Sequence, residues 1–155
     1  MLKYQNNKNC PFCEAILSEN FFCQSNNFVA IYNIAPILPG HCMIIPKNHI
    51  QKVLNLSDDK LSEMMIFSRK VIEILNKVFP NDGFNWTIQD GESAGQTVQH
   101  VHLHIIPRVN KDLPEPGDWY PKLVESRNTE SKNRAKLTTD EYLRITEKLK
   151  ESQNK

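Results

Sequence analysis

An α+β fold built on an antiparallel sheet is what this sequence predicts, and three observations carry the prediction. Two apolar runs, FVAIYN (28–33) and HCMIIP (41–46), flank the turn-rich stretch APILPG (35–40), the pattern of a hairpin. A long amphipathic segment follows from Asp58 to Phe79. Two more strand-like runs come after it, FNWTIQ (84–89) and Val98 to Ile106. Strands, then a helix, then strands, all on short connections, gives a sheet of about five strands with the long helix packed on one face.

Each element has a local reason. Ser57 is a natural N-cap, and Asp58 and Asp59 place negative charge in the first turn, where the helix dipole favours it. Leu61, Met64, Met65, Ile72, Leu75 and Phe79 recur at three- and four-residue steps, which makes them a core stripe, and Pro80 and Gly83 stop the helix. DGESAG (90–95) is a Gly-bounded loop, and Pro107 is expected to end the last strand. The stretch Val109–Lys136 is rich in proline and charge, with Trp119 and Tyr120 as its anchors. Thr138 to Glu141 has the form of a capping box, Tyr142, Ile145 and Leu149 give a C-terminal helix its stripe, and ESQNK is expected to fray.

Length and composition narrow the function. A chain of 155 residues with 39% hydrophobic and 24% charged residues fits one soluble domain, 1–155. Nineteen basic against eighteen acidic residues leave a formal charge of +1, so no basic field points to nucleic acid. No apolar run approaches the roughly 20 residues of a membrane span, and MLKYQNNKNC lacks an apolar signal core, so a cytoplasmic protein is expected. Cys10-Pro-Phe-Cys13 is then half a metal site or a redox pair. A thioredoxin-like pair needs a preceding strand, and only a polar segment precedes this one, which favours metal. Cys23 and Cys42 read as small buried hydrophobes.

Three of the five histidines stand in HVHLH (100–104). Side chains alternate along a strand, so His100, His102 and His104 share one face while Val101, Leu103 and Ile105 take the other, against a helix. A cupin-type metal site wants a nearby Glu, but Ile105-Ile106-Pro107-Arg108 follows, and a metal hydrolase barrel needs roughly 250 residues. Nucleophilic catalysis remains. A neutral imidazole attacks without a separate base, provided that one ring nitrogen donates a hydrogen bond and the other keeps its lone pair. The loop Gly91 to Thr97 lies directly before this strand and can bring backbone N–H groups to phosphate oxygens.

Gln96 to Ile106 (QTVQHVHLHII) resembles the signature of the histidine triad (HIT) family. Asn33, the turn Pro39-Gly40-His41, the helix, and Ile88-Gln89-Asp90-Gly91 fall in that family's order, so the likeness covers roughly residues 10–108, with 109–155 as a C-terminal extension. The resemblance implies a HIT-like α+β fold and a nucleotide hydrolase or transferase. His102 would attack the α-phosphorus to form a nucleotidyl-histidine, and His104 would contact the phosphate on the leaving-group side. His41 would support the triad, Asn33 would bind ribose, and Gln89 would meet a phosphate oxygen. Gly95, Gln96, Thr97 and Val98 would cradle the phosphates. Thr97 and Ile106-Pro107-Arg108 look closer to members that hydrolyse dinucleoside polyphosphates, such as diadenosine tri- or tetraphosphate. A nucleoside phosphoramidase and a nucleotide-binding regulator with little turnover are the alternatives. Some branches hold a structural zinc, which would fall here on Cys10, Cys13, His49 and His100. The resemblance also implies a homodimer whose sheet continues across the two-fold axis, and allows a divalent cation to accompany the substrate. A base-binding wall is expected around Phe28, Ile31 and Ile50, while Trp119 and Tyr120 either stack on a base or pack.

Overall fold

The computed structural model describes residues 4–125 and 135–153. Residues 126–134 of the proline- and charge-rich stretch, and Asn154 and Lys155 of the expected frayed end, lie outside the described residues. A five-stranded antiparallel sheet forms the centre, in the spatial order β1-β2-β3-β5-β4. The strands are β1 (Cys23–Gln24), β2 (Phe28–Tyr32), β3 (Cys42–Pro46), β4 (Gly83–Thr87) and β5 (Leu103–Arg108). The helices are α1 (Pro11–Leu17), α2 (Asp58–Val78), α3 (Trp119–Glu125) and α4 (Thr139–Ser152).

The hairpin expected from FVAIYN and HCMIIP is present, with Phe28 opposite Pro46 and Tyr32 opposite Cys42. Its turn rests on Gly40, whose φ of +88° suits glycine. A Cβ there would also meet the Pro107 Cγ at 2.6 Å, so this residue lets the turn lie against β5 and deliver His41 into the sheet. In α2 the Ser57 hydroxyl accepts from the Lys60 N–H, as expected of the cap. The buried stripe is Met64, Phe67, Val71, Ile74 and Leu75. Met65, expected in the core, is exposed, because the true stripe is centred on Met64 and Phe67. The capping box of α4 forms, with Thr138 and Glu141 each bonding the other's backbone.

Four sequence expectations need correction. Val98–Ile106 is not one strand: β5 begins at Leu103 and runs through Pro107 to Arg108. Residues 98–101 turn tightly instead, the His100 N–H donating to Val98 O and the Val101 N–H to Ile50 O. Pro107 does not end the strand, because β3 pairs β5 only as far as Ile105 and the missing N–H costs no ladder bond beyond it. Residues 11–17, for which no element was expected, form α1, with Pro11 opening the helix and Phe12, Cys13 and Ile16 buried. In the stretch after Val109, Trp119 and Tyr120 open α3, but Tyr120 is exposed and its ring meets Trp119 at 5.7 Å, so it anchors little.

Both faces of the sheet are covered. Phe28, Ala30, Ile44, Val101, Leu103 and Ile105 share a large core with Met64, Phe67, Val71 and Leu75 of α2 and Leu149 of α4. Val29, Ile31, Met43 and Ile45 share a smaller one with Phe12, Cys13 and Ile16 of α1. Cys23 and Cys42 are buried in the large core as expected, and burial raises the pKa of both thiols. No helix among the described residues is long and apolar enough to cross a membrane.

Candidate active site and candidate metal centre

The alternation of HVHLH sends Val101 and Leu103 into the α2 core and the three histidines to the α1 side. There they are buried and do unlike things. His100 Nε2 lies 2.9 Å from the carbonyl oxygen of Pro46, so it carries the proton and donates. Its Nδ1 therefore presents a lone pair, 3.4 Å from Cys10 Sγ and 3.7 Å from Cys13 Sγ. His49 Nδ1 lies 3.4 Å from Cys13 Sγ, and the donor atoms of Cys10, Cys13, His49 and His100 fall within 4.8 Å of one another.

This donor set fits a tetrahedral ion. Metal–sulfur bonds near 2.3 Å and metal–nitrogen bonds near 2.0 Å put neighbouring ligands roughly 3.5–3.8 Å apart, close to the three nitrogen–sulfur separations of 3.4, 3.4 and 3.7 Å. The Asn7 N–H also points at Cys13 Sγ at 3.4 Å, a donor suited to a thiolate. Burial keeps His100 neutral, its pKa pushed down to about 4, with the Pro46 carbonyl opposing that shift. Burial likewise raises the pKa of the Cys13 thiol, with the Asn7 N–H opposing that shift.

His102 has the opposite ring polarity to His100. Its Nδ1 lies 2.8 Å from the carbonyl oxygen of His100, so the proton sits on Nδ1 and the lone pair on Nε2. Burial lowers its pKa, partly offset by that carbonyl, which favours the neutral, nucleophilic form near pH 7. Phe12 packs edge-on against both His100 and His102, at 5.9 and 5.1 Å between ring centres. His104 lies 4.8 Å from His102, ring to ring, and its Nδ1 is 2.9 Å from Nε2 of His41, which β3 brings from the neighbouring strand.

The remaining candidates surround this row. Asn33 follows β2; its Oδ1 accepts from the Ala35 N–H at 2.9 Å and its Nδ2 reaches Met43 Sδ at 3.7 Å. Gln89 is buried and gives its Nε2–H to Thr87 Oγ1 at 2.8 Å, Thr87 standing opposite His104 in the sheet. Its Oε1 is enclosed and has no hydrogen-bond partner among the described residues. The loop before the triad is closed by Gln96, which accepts from the Gly91 N–H and donates to Gln51 O, with Gly95 in the left-handed region. Thr97 is exposed at the end of this loop, and Val98 packs on the α1-side cluster.

A cavity of about 230 Å³ opens between α1 and the sheet, walled by Phe12, Ala15, Ile31, Ile34 and Met43. It adjoins the histidines, since Phe12 touches His102 and Met43 stands opposite His104. Of the three residues expected to form a base wall, Ile31 is here, but Phe28 and Ile50 belong to the α2 core. Residue parity explains the error: Phe28 and Ile31 point to opposite faces of β2. Phe12 and Met43 were missed, although Phe12 stands between the two cysteines and so had to lie near whatever they hold. A larger cavity, about 550 Å³, lies around Arg108 and Asp112 and shares no residue with the histidine row.

The comparisons with known proteins agree with this geometry. The HIT domain family model matches residues 16–111. A bis(5'-adenosyl)-triphosphatase of Dictyostelium discoideum is 35% identical over 114 residues, covering 74% of this chain and 76% of its own. An asymmetrical bis(5'-nucleosyl)-tetraphosphatase of Schizosaccharomyces pombe is 37% identical over 119 residues, covering 77% of this chain but 65% of its own. A zinc-bound histidine triad family protein of Mycobacterium smegmatis superposes with a TM-score of 0.62 at 27% identity, covering 78% of this chain and 94% of that one. With its sheet order, its row of histidines and these relatives in agreement, the chain belongs to the HIT domain family.

Proposed function

We propose that this chain is a hydrolase of dinucleoside polyphosphates that works through a covalent nucleotidyl-His102 intermediate. The observation that carries it is the His102 Nδ1–H bonded to the His100 carbonyl, which leaves the lone pair on Nε2. That lone pair attacks the α-phosphorus as the bond to the leaving phosphate breaks, and water then cleaves the phosphorus–nitrogen bond to release a nucleoside monophosphate. A phosphate leaving group is a weak base, so no carboxylic acid is required. The activities named for the Dictyostelium and Schizosaccharomyces relatives support this substrate class. In this reading Asn33 holds the ribose, and the cavity walled by Phe12, Ile31 and Met43 takes the base. Gln89, His104 and the backbone of Gly95, Gln96, Thr97 and Val98 face the phosphates, while the Gln96 side chain keeps their loop closed. His41, directly before β3, supports His104.

The second centre is read as structural zinc. Cys10, Cys13, His49 and His100 would hold the ion through two thiolates and two imidazoles, a donor set typical of structural sites, and it would tie α1 to the triad segment. The zinc-bound mycobacterial relative supports that identity. Two copies pair along the edge strand β4, where Trp86 is 39% exposed, and the buried thiols suit a reducing cytoplasm.

Incubation with diadenosine triphosphate, diadenosine tetraphosphate and adenosine phosphoramidate tests the assignment. Preferred release of AMP from one of the dinucleotides is expected; faster cleavage of the phosphoramidate would overturn it. Metal analysis is expected to find about one zinc per chain, lost in the C10S/C13S variant; a metal-free, fully stable wild type would remove the second centre.

A further inference from the structure

His41 is completely buried and accepts the backbone N–H of Ile37 on its Nδ1, at 3.2 Å. An amide N–H only donates, so His41 Nδ1 must hold a lone pair. A neutral imidazole has one proton, which must then sit on Nε2, the atom 2.9 Å from His104 Nδ1. His41 therefore donates and His104 Nδ1 accepts. His104 is left with its own proton on Nε2.

A competing arrangement would run the chain backwards, with Asn33 and His104 both donating to His41 Nε2. Asn33 is fixed as a donor there, because its Oδ1 already accepts from Ala35, but its Nδ2 stands 3.4 Å away, well beyond the 2.9 Å of the His104 contact. The reversed chain would also put a proton on His41 Nδ1, facing the Ile37 N–H across 3.2 Å. Two donors in that position repel, and a buried pair of this kind has no water to relieve it.

We propose that His41, locked by the Ile37 amide, is a positioning residue that sets the tautomer of His104 opposite to that of His102. His102 has its proton on Nδ1 and a lone pair on Nε2, while His104 has a lone pair on Nδ1 and its proton on Nε2. The two rings lie 4.8 Å apart, so the pair offers one lone pair and one N–H on neighbouring rings. An attacked phosphorus needs that combination, since the nucleophile meets the phosphorus while a donor meets the oxygen that gains charge. The turn Pro39-Gly40 thus does more than join β2 to β3: it folds Ile37 back onto His41 and determines where a proton sits one strand away.

This inference rests on the proposed hydrolysis for its purpose, but its test does not need a substrate. Long-range proton–nitrogen spectra of the metal-loaded, histidine-labelled protein distinguish the two tautomers of each ring. His41 and His104 are expected as Nε2–H and His102 as Nδ1–H; a His104 found as Nδ1–H overturns the proposal. Two variants read the coupling. H41Q keeps an acceptor for Ile37 and a donor for His104, so it is expected to preserve the His104 tautomer. H41L removes both and is expected to mix the tautomers and lower kcat about 10- to 100-fold with KM little changed, the loss usual for a partner that orients a reacting group. An H41L protein with the His104 signals and kcat of wild type overturns the proposal. Should H41L not fold, the wild-type and H41Q spectra decide it. Failure of every substrate to turn over, with the expected tautomers present, would count against hydrolysis and leave the proton assignment standing.

Discussion

The two faces of the sheet are both covered and differently made. Against α2 lies an apolar core of Phe28, Ala30, Ile44, Leu103 and Ile105, filled by Met64, Phe67, Val71 and Leu75. On the α1 side a smaller cluster joins Val29, Ile31, Met43 and Ile45 of the sheet to Cys10, Phe12, Cys13 and Ile16, and beside it stand the buried polar groups His41, His100, His102 and His104. Burying an unpaired polar group costs about 1–3 kcal/mol, so the second face is held by hydrogen bonds, each histidine tied to a carbonyl or another ring. One face supplies stability that the other uses to hold reactive groups in place. The contrast runs through a single segment, because Leu103 and His102 are adjacent residues pointing opposite ways.

Substitutions at those two neighbours should separate the faces. His102→Ala is expected to lower turnover by at least about 10⁴-fold, as loss of a nucleophile does, while nucleotide affinity stays within about tenfold. A variant that retains turnover would mean that the histidine face is not the reactive one. Leu103→Ala should do the reverse and cost about 2–5 kcal/mol of stability, roughly 5–15 °C in Tm, with activity per folded molecule within a few-fold of wild type. Thermal unfolding paired with rate measurements on both variants reads the contrast directly; equal losses in both quantities would erase it.

A smaller effect should appear with pH. Burial holds His102 below the ordinary imidazole range, near 6.5, so just below that pH the unfolded chain takes up a proton that the folded one refuses. Stability is then fully present above about pH 6.5 and declines as the pH falls through the lowered folded value. For the same reason the acid limb of kcat should lie below pH 6.5. An acid limb above 6.5 would show that the α1 face is wetter than its burial indicates.

The reactive row was readable in the sequence because its period is two and its residue type is rare: HVHLH holds three of the five histidines. The cysteine pair was likewise readable by residue type and spacing, whereas His49 entered only through the family resemblance, and the fold brings all three to His100. What escaped was set by tertiary contact. The α1 helix has 7 residues, too few to show a helical stripe, and is held by Cys13, Phe12 and Ile16 against the sheet. Strand β1 has 2 residues, and its neighbour β2 creates it. Pro107 reads locally as a stop, and only the early end of β3 makes it harmless. The orientation of Gln96 belongs to the same class, since its partners Gly91 and Gln51 lie 5 and 45 residues away.

The contact between Cys10 and His100 spans 90 positions of the chain. Closing a flexible loop of that length costs about 4 kcal/mol of chain entropy, scaling as the logarithm of its length. Little local structure offsets this, since α1 is short. The N-terminal helix should therefore dock late in folding, after β3 and β5 have already brought His49 and His100 into position. Because Phe12 rides on that helix, the pocket wall beside His102 is completed in the same step. Competence for catalysis would then arrive as the last event of folding, with the core already formed while the site is still open.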